Sequence, residues 1–140
     1  MEDKVEFASQ AWLDKLHELI GIYARKVGGN FSLSLCEVFT AVPRHLDPDG
    51  SGTISWHCRI RDGDVKFSRG EIFDADYKST ADYAYILPYA RRILDPKDAA
   101  AIEKEHEAAV AAGKLKREGD RTKIPLVFYG MHNDIARLTR

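Results

Sequence analysis

Glu37 is the acidic residue whose position points most directly to chemistry. It interrupts a series of apolar residues at alternate positions, Phe31, Leu33, Leu35 and Phe39, so a strand here turns its side chain toward a buried face. An unpaired buried carboxylate is costly. Three arrangements are therefore expected for the Glu37 side chain: it faces a cavity, a β-bulge turns it outward, or it forms an ion pair with an arginine. Facing a cavity, it can serve as the proton-transfer group of an enzyme that needs no cofactor.

Asp82, His57 and Arg59 are the other groups that could take part in such an enzyme. A carboxylate at the start of a helix, as Asp82 is here, most often stabilises the helix dipole, but it can also move a proton. His57 and Arg59 can stabilise negative charge, although simple alternation places both on the strand face opposite Trp56. The alternative function is therefore an enzyme acting on a steroid-like or aromatic molecule, with Glu37, Asp82 and His57 as catalytic candidates.

Residues 47–54 imitate the beginning of a calcium-binding loop. Acidic residues stand first and third, an oxygen-bearing side chain fifth and a glycine sixth, but the closing bidentate glutamate is replaced by Cys58. The flanking residues alternate like strands instead of forming two helices. The histidines are scattered, and no glycine-rich phosphate loop stands between a strand and a helix. The sequence therefore predicts no metal site and no cofactor.

Composition and charge restrict the partners and the compartment. The 140 residues carry a formal net charge of -1, which offers no overall attraction to nucleic acid. No apolar run approaches the roughly 20 residues of a membrane helix, and the first residues lack the pattern of a signal peptide. Cys36 and Cys58 lie in apolar runs and fit buried thiols better than a disulfide. We expect one domain over residues 1–140, with its core at about 9–138, in the cytoplasm.

A basic cluster lies between residues 114 and 123, where we also expect an edge strand. Such a run is usually only a solvated edge. The alternative is transient contact with an anionic membrane surface, which salt would weaken. The cluster consists of Lys114, Lys116, Arg117, Arg121 and Lys123.

Alternation of apolar and polar residues predicts the remaining strands. Residues 30–42 are apolar on both faces, so this strand should be central. Residues 54–60 alternate regularly, and Asp62 with Gly63 then makes the tight turn of a β-hairpin. Residues 75–80 form a third, short and polar strand. The sequence thus predicts a sheet with one half-buried face.

Helical spacing and end signals predict three helices next to the sheet. Ser9 caps the first helix, and the glycines at 28–29 end it. Thr80 is placed to cap the second helix, in which Pro88 removes a hydrogen bond and predicts a bend. Residues 95–96, Asp-Pro, stop that helix and start a third. A bent helix above a sheet leaves room for a ligand.

The order of these elements resembles the sterol-carrier-protein-type lipid-binding domains. The resemblance rests on residues 9–12 at the first helix, 56–70 in the hairpin, 76–83 at the third strand and second helix, and 113–120 before the apolar closing segment. It implies an α+β fold with a single curved, mainly antiparallel sheet of about five strands, covered by helices around an apolar tunnel. It also implies binding of a fatty acid, fatty acyl-CoA or sterol-like molecule, and it brings no catalytic residue.

The leading hypothesis is therefore a carrier that binds a hydrophobic small molecule and needs no reactive residue. A further hypothesis is an interaction module, whose closing segment packs against a second copy in a homodimer. Face assignment alone gives the ligand-binding residues. These are Trp12, Leu35, Trp56, Phe67, Tyr83, Ile86, Leu87, Tyr89, Phe128 and Met131.

Overall fold

A five-stranded mixed sheet forms the centre of the molecule. The computed structural model describes residues 3–47 and 49–140. The strands are β1 (Leu33–Thr40), β2 (Thr53–Arg61), β3 (Asp64–Arg69), β4 (Tyr77–Asp82) and β5 (Leu115–Gly119). Their order across the sheet is β3-β2-β1-β4-β5, with β1 parallel to β4 and the other three pairings antiparallel. The predicted α+β fold, with about five mainly antiparallel strands and β1 at the centre, is confirmed.

Within the described residues, four α-helices accompany the sheet. They are α1 (Gln10–Val27), α2 (Tyr83–Arg91), α3 (Ala99–Ala111) and α4 (Tyr129–Ala136). The Ser9 hydroxyl accepts a hydrogen bond from the Trp12 amide, and Gly28 ends α1 with a φ of 69°, so both predicted ends of this helix are confirmed. In the part of the chain that the structure describes, every helix is too short or too polar to cross a bilayer.

One face of the sheet belongs to the main core. Its register places Leu33 opposite Ile60 and Leu35 opposite Cys58, and all four side chains are buried. The period-two alternation of β1 and β2 thus puts apolar groups where the helices cover them. Buried residues of α1 in the same cluster are Leu13, Leu16 and Ile20.

The opposite face is crossed by the connection between β3 and β4. Because β3 lies at one edge and β4 lies beyond β1, residues 70–76 must pass β2 and β1. The carbonyl of Gly70 lies 2.9 Å from His57 Nδ1, and Lys78 forms an ion pair with Glu71. A short segment with charged contacts therefore covers part of this face.

The start of α2 differs from the sequence prediction. Thr80 does not cap the helix, because it pairs with Val38 on one side and Lys116 on the other and stays in β4. The strand continues to Asp82, whose carboxylate accepts a hydrogen bond from the Tyr85 amide at 3.2 Å. Asp82 therefore caps the helix that immediately follows the strand.

Two other turns follow local chemistry. The hairpin at Asp62 and Gly63 is confirmed, and both residues have positive φ, 52° and 79°, as its tight turn requires. The helix α2 ends at Arg91, before the Asp-Pro pair, so this pair does not stop it. Asp95 does cap the short 3-10 turn Pro96–Asp98, which leads directly into α3. Pro88 lies inside α2.

In the loop that imitates a calcium site, hydrogen bonds to Asp47 take the place of contacts with a metal ion. Asp47 accepts hydrogen bonds from the Gly52 amide at 2.5 Å and from the Ser51 hydroxyl at 3.2 Å. Pro48 of that motif lies outside the described residues. Across residues 3–47 and 49–140, no group of three or more histidine, cysteine or acidic side chains could hold a metal ion. Cys36 and Cys58 are free, buried thiols.

Candidate functional site

A row of five side chains crosses the helix-covered face at the level of Glu37. The register of the four strand pairs places Glu37 of β1 between Trp56 of β2 and Ser79 of β4, with Arg69 of β3 and Arg117 of β5 at the two ends. We call these five residues the polar row. It interrupts a face that is otherwise apolar, so the sheet holds hydrogen-bonding groups at the middle of its covered side.

Glu37 is held by neutral donors. The Trp56 indole Nε1 donates to Glu37 Oε1 at 3.1 Å, and the Ser79 hydroxyl donates to Oε2 at 3.4 Å. The register of β1 with β2 runs unbroken from Leu33 to Thr40, so no bulge turns Glu37 outward. The arginines of the row have other partners, because Arg117 contacts Glu103 at 2.9 Å and Arg69 donates to Gln10 at 2.8 Å. The structure thus shows neither the bulge nor a pairing of Glu37 with an arginine of the row, and the cavity stays a prediction.

Glu37 remains half-buried although it lies in the central strand. Its main chain is covered on both sides, because β1 pairs with β2 and with β4. The exposed fraction therefore belongs mainly to the side chain. Some space for a water-sized probe therefore adjoins the Glu37 side chain, although Leu33, Leu35 and Phe39, its neighbours of β1 on this face, are buried.

Burial dominates the electrostatics of this carboxylate. Loss of hydration raises the pKa of Glu37 to about 7, while the hydrogen bonds from Trp56 and Ser79 act in the opposite direction. Burial also raises the pKa of Tyr89 to about 12, and the negative charge of Glu37 adds to that increase. The charge of Glu37 thus acts on the Tyr89 hydroxyl of α2, and Tyr89 packs against the core cluster on the helix-covered side of the sheet.

Two histidines surround Tyr89. Its ring centroid lies 4.9 Å from that of His106 in α3 and 4.6 Å from that of His132 in α4. The Tyr85 hydroxyl lies 2.7 Å from His106 Nδ1. Burial lowers the pKa of both histidines, so both rings are mainly uncharged at neutral pH. We call Tyr85, Tyr89, His106 and His132 the aromatic cluster.

A groove between α2 and α3 runs along the aromatic cluster. Its volume is about 320 Å³, at the lower end of the range for small-molecule sites. It is lined by Tyr85, Pro88, Tyr89, Arg92, Glu105 and His106. A second, more open groove of about 490 Å³ lies between α1 and the β2–β3 hairpin and is lined mostly by polar residues such as Asp14, Glu18 and Arg25. Glu37 lines neither of these two grooves, but the α2–α3 groove includes Tyr89, whose pKa the Glu37 charge helps to raise.

Two solved structures share this arrangement of elements. A conserved hypothetical protein of Thermus thermophilus, named as a possible sterol carrier protein, matches with a TM-score of 0.51 and 16% identity over 98% of this chain and 90% of its own. The crystal structure of sterol carrier protein 2 matches with a TM-score of 0.52 and 17% identity over 95% of this chain and 96% of its own. The chain has the sterol carrier protein fold. At these identities the likeness concerns the fold alone. No family model and no curated protein matches the sequence.

Within the sterol carrier protein fold, the predicted ligand residues occupy three neighbourhoods. Trp56 donates a hydrogen bond to Glu37, and Phe67 stacks on Trp56 with ring centroids 5.3 Å apart. Leu35 lies on the same sheet face, one alternate position from Glu37. Leu35, Trp56 and Phe67 thus share the sheet face of the polar row, whereas Tyr89 belongs to α2 and contacts His106 and His132.

The other predicted ligand residues lie further along the core. Trp12 and Tyr83 pack around Phe7, with centroids 4.9 and 5.6 Å from it. Phe128 contacts Tyr23 and Phe31. The remaining candidates, Ile86, Leu87 and Met131, belong to or pack against the same core cluster. Their contact with a ligand stays a prediction.

The three catalytic candidates do not converge in this fold. His57 pairs with Cys36, one residue out of phase with Glu37, and therefore lies on the opposite sheet face. Asp82 is engaged with the first turn of α2, and Arg59 forms an ion pair with Asp74 at 2.9 Å. The groups that do accompany Glu37 are Trp56 and Ser79.

Sequence reasoning did not identify Ser79, Tyr85, His106 and His132 as part of this region. Ser79 meets Glu37 through the parallel β1–β4 pairing, which joins segments 42 residues apart. One local signal was present, because Tyr85 and Tyr89 are four residues apart and so lie on the same side of a helix. That spacing points to a shared contact, here with His106.

Proposed function

We propose that this protein binds a hydrophobic small molecule, of the fatty acid, fatty acyl-CoA or sterol-like kind, for carriage or transfer. The molecule lies between the covered face of the sheet and helices α2 and α3, next to Glu37. The observation that carries the proposal is the half-buried Glu37 side chain in the middle of the covered face. A fully packed core would leave no probe-sized space there.

The surroundings of Glu37 suit such a ligand. Leu35, Trp56 and Tyr89 offer apolar surface, and burial of apolar area is worth about 25 cal/mol per Å². A few polar groups among apolar walls are what orients a ligand in a site of this kind. The sterol carrier protein fold supports the same interpretation, because one solved structure that shares it is named sterol carrier protein 2 and another is named as a possible sterol carrier protein.

Native mass spectrometry of the purified protein tests this proposal first. We expect a co-purified adduct with the mass of a lipid, and equilibrium binding of Nile red, an uncharged apolar dye, to protein from which lipid has been extracted. A protein without adduct that also fails to bind the dye contradicts the proposal. A dimer without ligand would favour the interaction module instead.

A pair of matched variants locates the site. Ser79→Leu adds an apolar side chain beside Glu37, whereas Ser55→Leu makes the same change on the opposite face of the sheet, where Ser55 pairs with Val38. We expect Ser79→Leu to weaken Nile red binding at least about 10-fold, as filling of the site requires, and Ser55→Leu to change it less than about twofold. Circular dichroism must show that both variants fold. Equal effects of the two substitutions would contradict this location.

A cofactor-independent enzyme in the same space is the second candidate, and the raised pKa of Glu37, about 7, favours it. A carboxylate whose pKa lies near the working pH is a suitable general base. The test is turnover of candidate steroids and aromatic compounds by the wild type and by Glu37→Gln. An unchanged rate in the variant removes Glu37 from any such reaction.

A further inference from the structure

The hydrogen bonds around Glu37 restrict the chemistry of the ligand's polar end. An ionised carboxylate only accepts hydrogen bonds and has about four lone-pair positions. Trp56 occupies one position on Oε1, and Ser79 occupies one on Oε2 at the long distance of 3.4 Å. Acceptor capacity therefore remains on the side chain that faces the accessible space.

We propose that the apolar ligand ends in an uncharged hydroxyl group, which donates a hydrogen bond to the Glu37 carboxylate. This inference rests on the proposed function, because it names the head group of the molecule bound in that site. A hydroxyl supplies a further donor beside those of Trp56 and Ser79 and carries no charge into the covered face. The proposal makes an apolar alcohol the preferred class and disfavours a fatty acid at pH values where Glu37 is ionised.

A ligand carboxylate fits this site poorly. It brings a second negative charge and more acceptors to a place where Glu37 already needs donors. Repulsion between two carboxylates in a poorly hydrated space is large, because little water screens it. Arg117, the nearest arginine of the polar row beyond Ser79, is paired with Glu103 and is not set against Glu37.

An ammonium head group is also less suitable than a hydroxyl. It has three donors that all require acceptors, whereas the groups next to Glu37 on the row, Trp56 and Ser79, are themselves donors to it. The row further holds an arginine at each end, Arg69 and Arg117. The titratable groups on which the Glu37 charge acts include the weak acids Cys36, Cys58, Tyr77 and Tyr89, whose pKa values burial raises. The three N–H donors of a ligand ammonium group therefore find few acceptors here besides Glu37 itself.

Three ligands with the same 12-carbon chain separate these chemistries: dodecanol, dodecanoate and dodecylamine. Affinities are measured at pH 8 by displacement of Nile red from lipid-free protein. We expect wild type to bind dodecanol at least about 10-fold more tightly than dodecanoate, the size expected from one hydrogen bond to a charged group. Dodecylamine should bind more weakly than dodecanol.

Variants show whether the preference comes from Glu37. In Glu37→Gln we expect the preference for dodecanol over dodecanoate to fall to about threefold or less, because the neutral amide both donates and accepts. Glu107→Gln, which makes the same charge change on the exposed surface of α3, should keep the wild-type preference.

Each outcome has a distinct meaning. Equal binding of dodecanol and dodecanoate to wild type, tighter binding of dodecylamine than of dodecanol, or a preference that survives in Glu37→Gln overturns the hydroxyl assignment and leaves the proposed function standing. Failure of all three ligands and of Nile red to bind wild type overturns the proposed function itself.

Discussion

The carboxylates on the two faces of the sheet differ in their partners and in the direction of their pKa shifts. On the face crossed by residues 70–76, Glu71 pairs with the buried Lys78, and Asp74 pairs with Arg59, which lowers the pKa of Asp74. On the helix-covered face, Glu37 receives hydrogen bonds from neutral donors only, and burial raises its pKa to about 7. The first arrangement fastens a connecting segment to the sheet. The second keeps a carboxylate in an environment that costs stability, which is typical of sites that serve function.

The largest expected difference between the faces comes from two neighbouring residues of β2. Trp56→Ala removes a buried aromatic side chain and the donor to Glu37 Oε1, so it should lower the free energy of unfolding by about 3–5 kcal/mol. His57→Ala, on the other face, removes a half-buried ring and its contact with Gly70, and should cost about 1 kcal/mol. Urea unfolding of both variants measures this. Equal losses would mean that the two faces contribute alike.

A second comparison concerns the pH dependence of stability. The pKa of Glu37 is raised in the folded protein from 4.5 to about 7, so the folded state binds this proton more tightly than the unfolded state. The stability it contributes is complete below pH 4.5 and is lost as the pH rises through 7. Glu37→Gln cannot lose a proton. The variant should therefore gain stability relative to wild type between pH 4.5 and 8, by up to about 3 kcal/mol.

Urea unfolding at pH 4.5, 6 and 8 checks this prediction, with Glu107→Gln as the surface control. A stability difference between Glu37→Gln and wild type that does not change with pH would show that the Glu37 carboxylate is well hydrated. In that case Glu37 would not differ in hydration from the carboxylates on the opposite face of the sheet.

The smallest of the three effects is the coupling between Lys78 and Glu71. Lys78 is buried, with 7% of its surface exposed, and Glu71 is its ion-pair partner. A double-mutant cycle with Lys78→Ala and Glu71→Ala should give a coupling free energy of about 2 kcal/mol, as for a hydrogen bond between charged groups. A coupling near zero would show that the segment is held to the sheet by other contacts.

Local signals in the sequence predict much of the fold. Ser9, Gly28 and the Asp62-Gly63 turn were read correctly, because capping and hairpin geometry depend on residues close in the chain. The strand positions of β1 and β2 follow from period-two alternation. Thr80 was read wrongly as a cap, since nothing nearby in the chain reveals that β5 pairs with β4 and extends that strand to Asp82.

The candidate site is less predictable than the fold. The interruption of an apolar face by Glu37 is visible in the sequence, but its partner Ser79 depends on the parallel pairing of distant strands. The contact of Tyr85 with His106 requires the placement of α3, a helix whose apolar pattern is weak. Residues that meet through long-range packing give no local pattern from which to infer them.

The central claim is that an apolar ligand lies next to Glu37, and nuclear magnetic resonance tests it most directly through the Trp56 indole. Titration of ¹⁵N-labelled, lipid-free protein with ¹³C-labelled dodecanol should shift the Trp56 Nε1–H resonance and give nuclear Overhauser effects between that proton and the ligand chain. An unchanged Trp56 resonance at saturating ligand, with no Overhauser effect to it, would contradict the account.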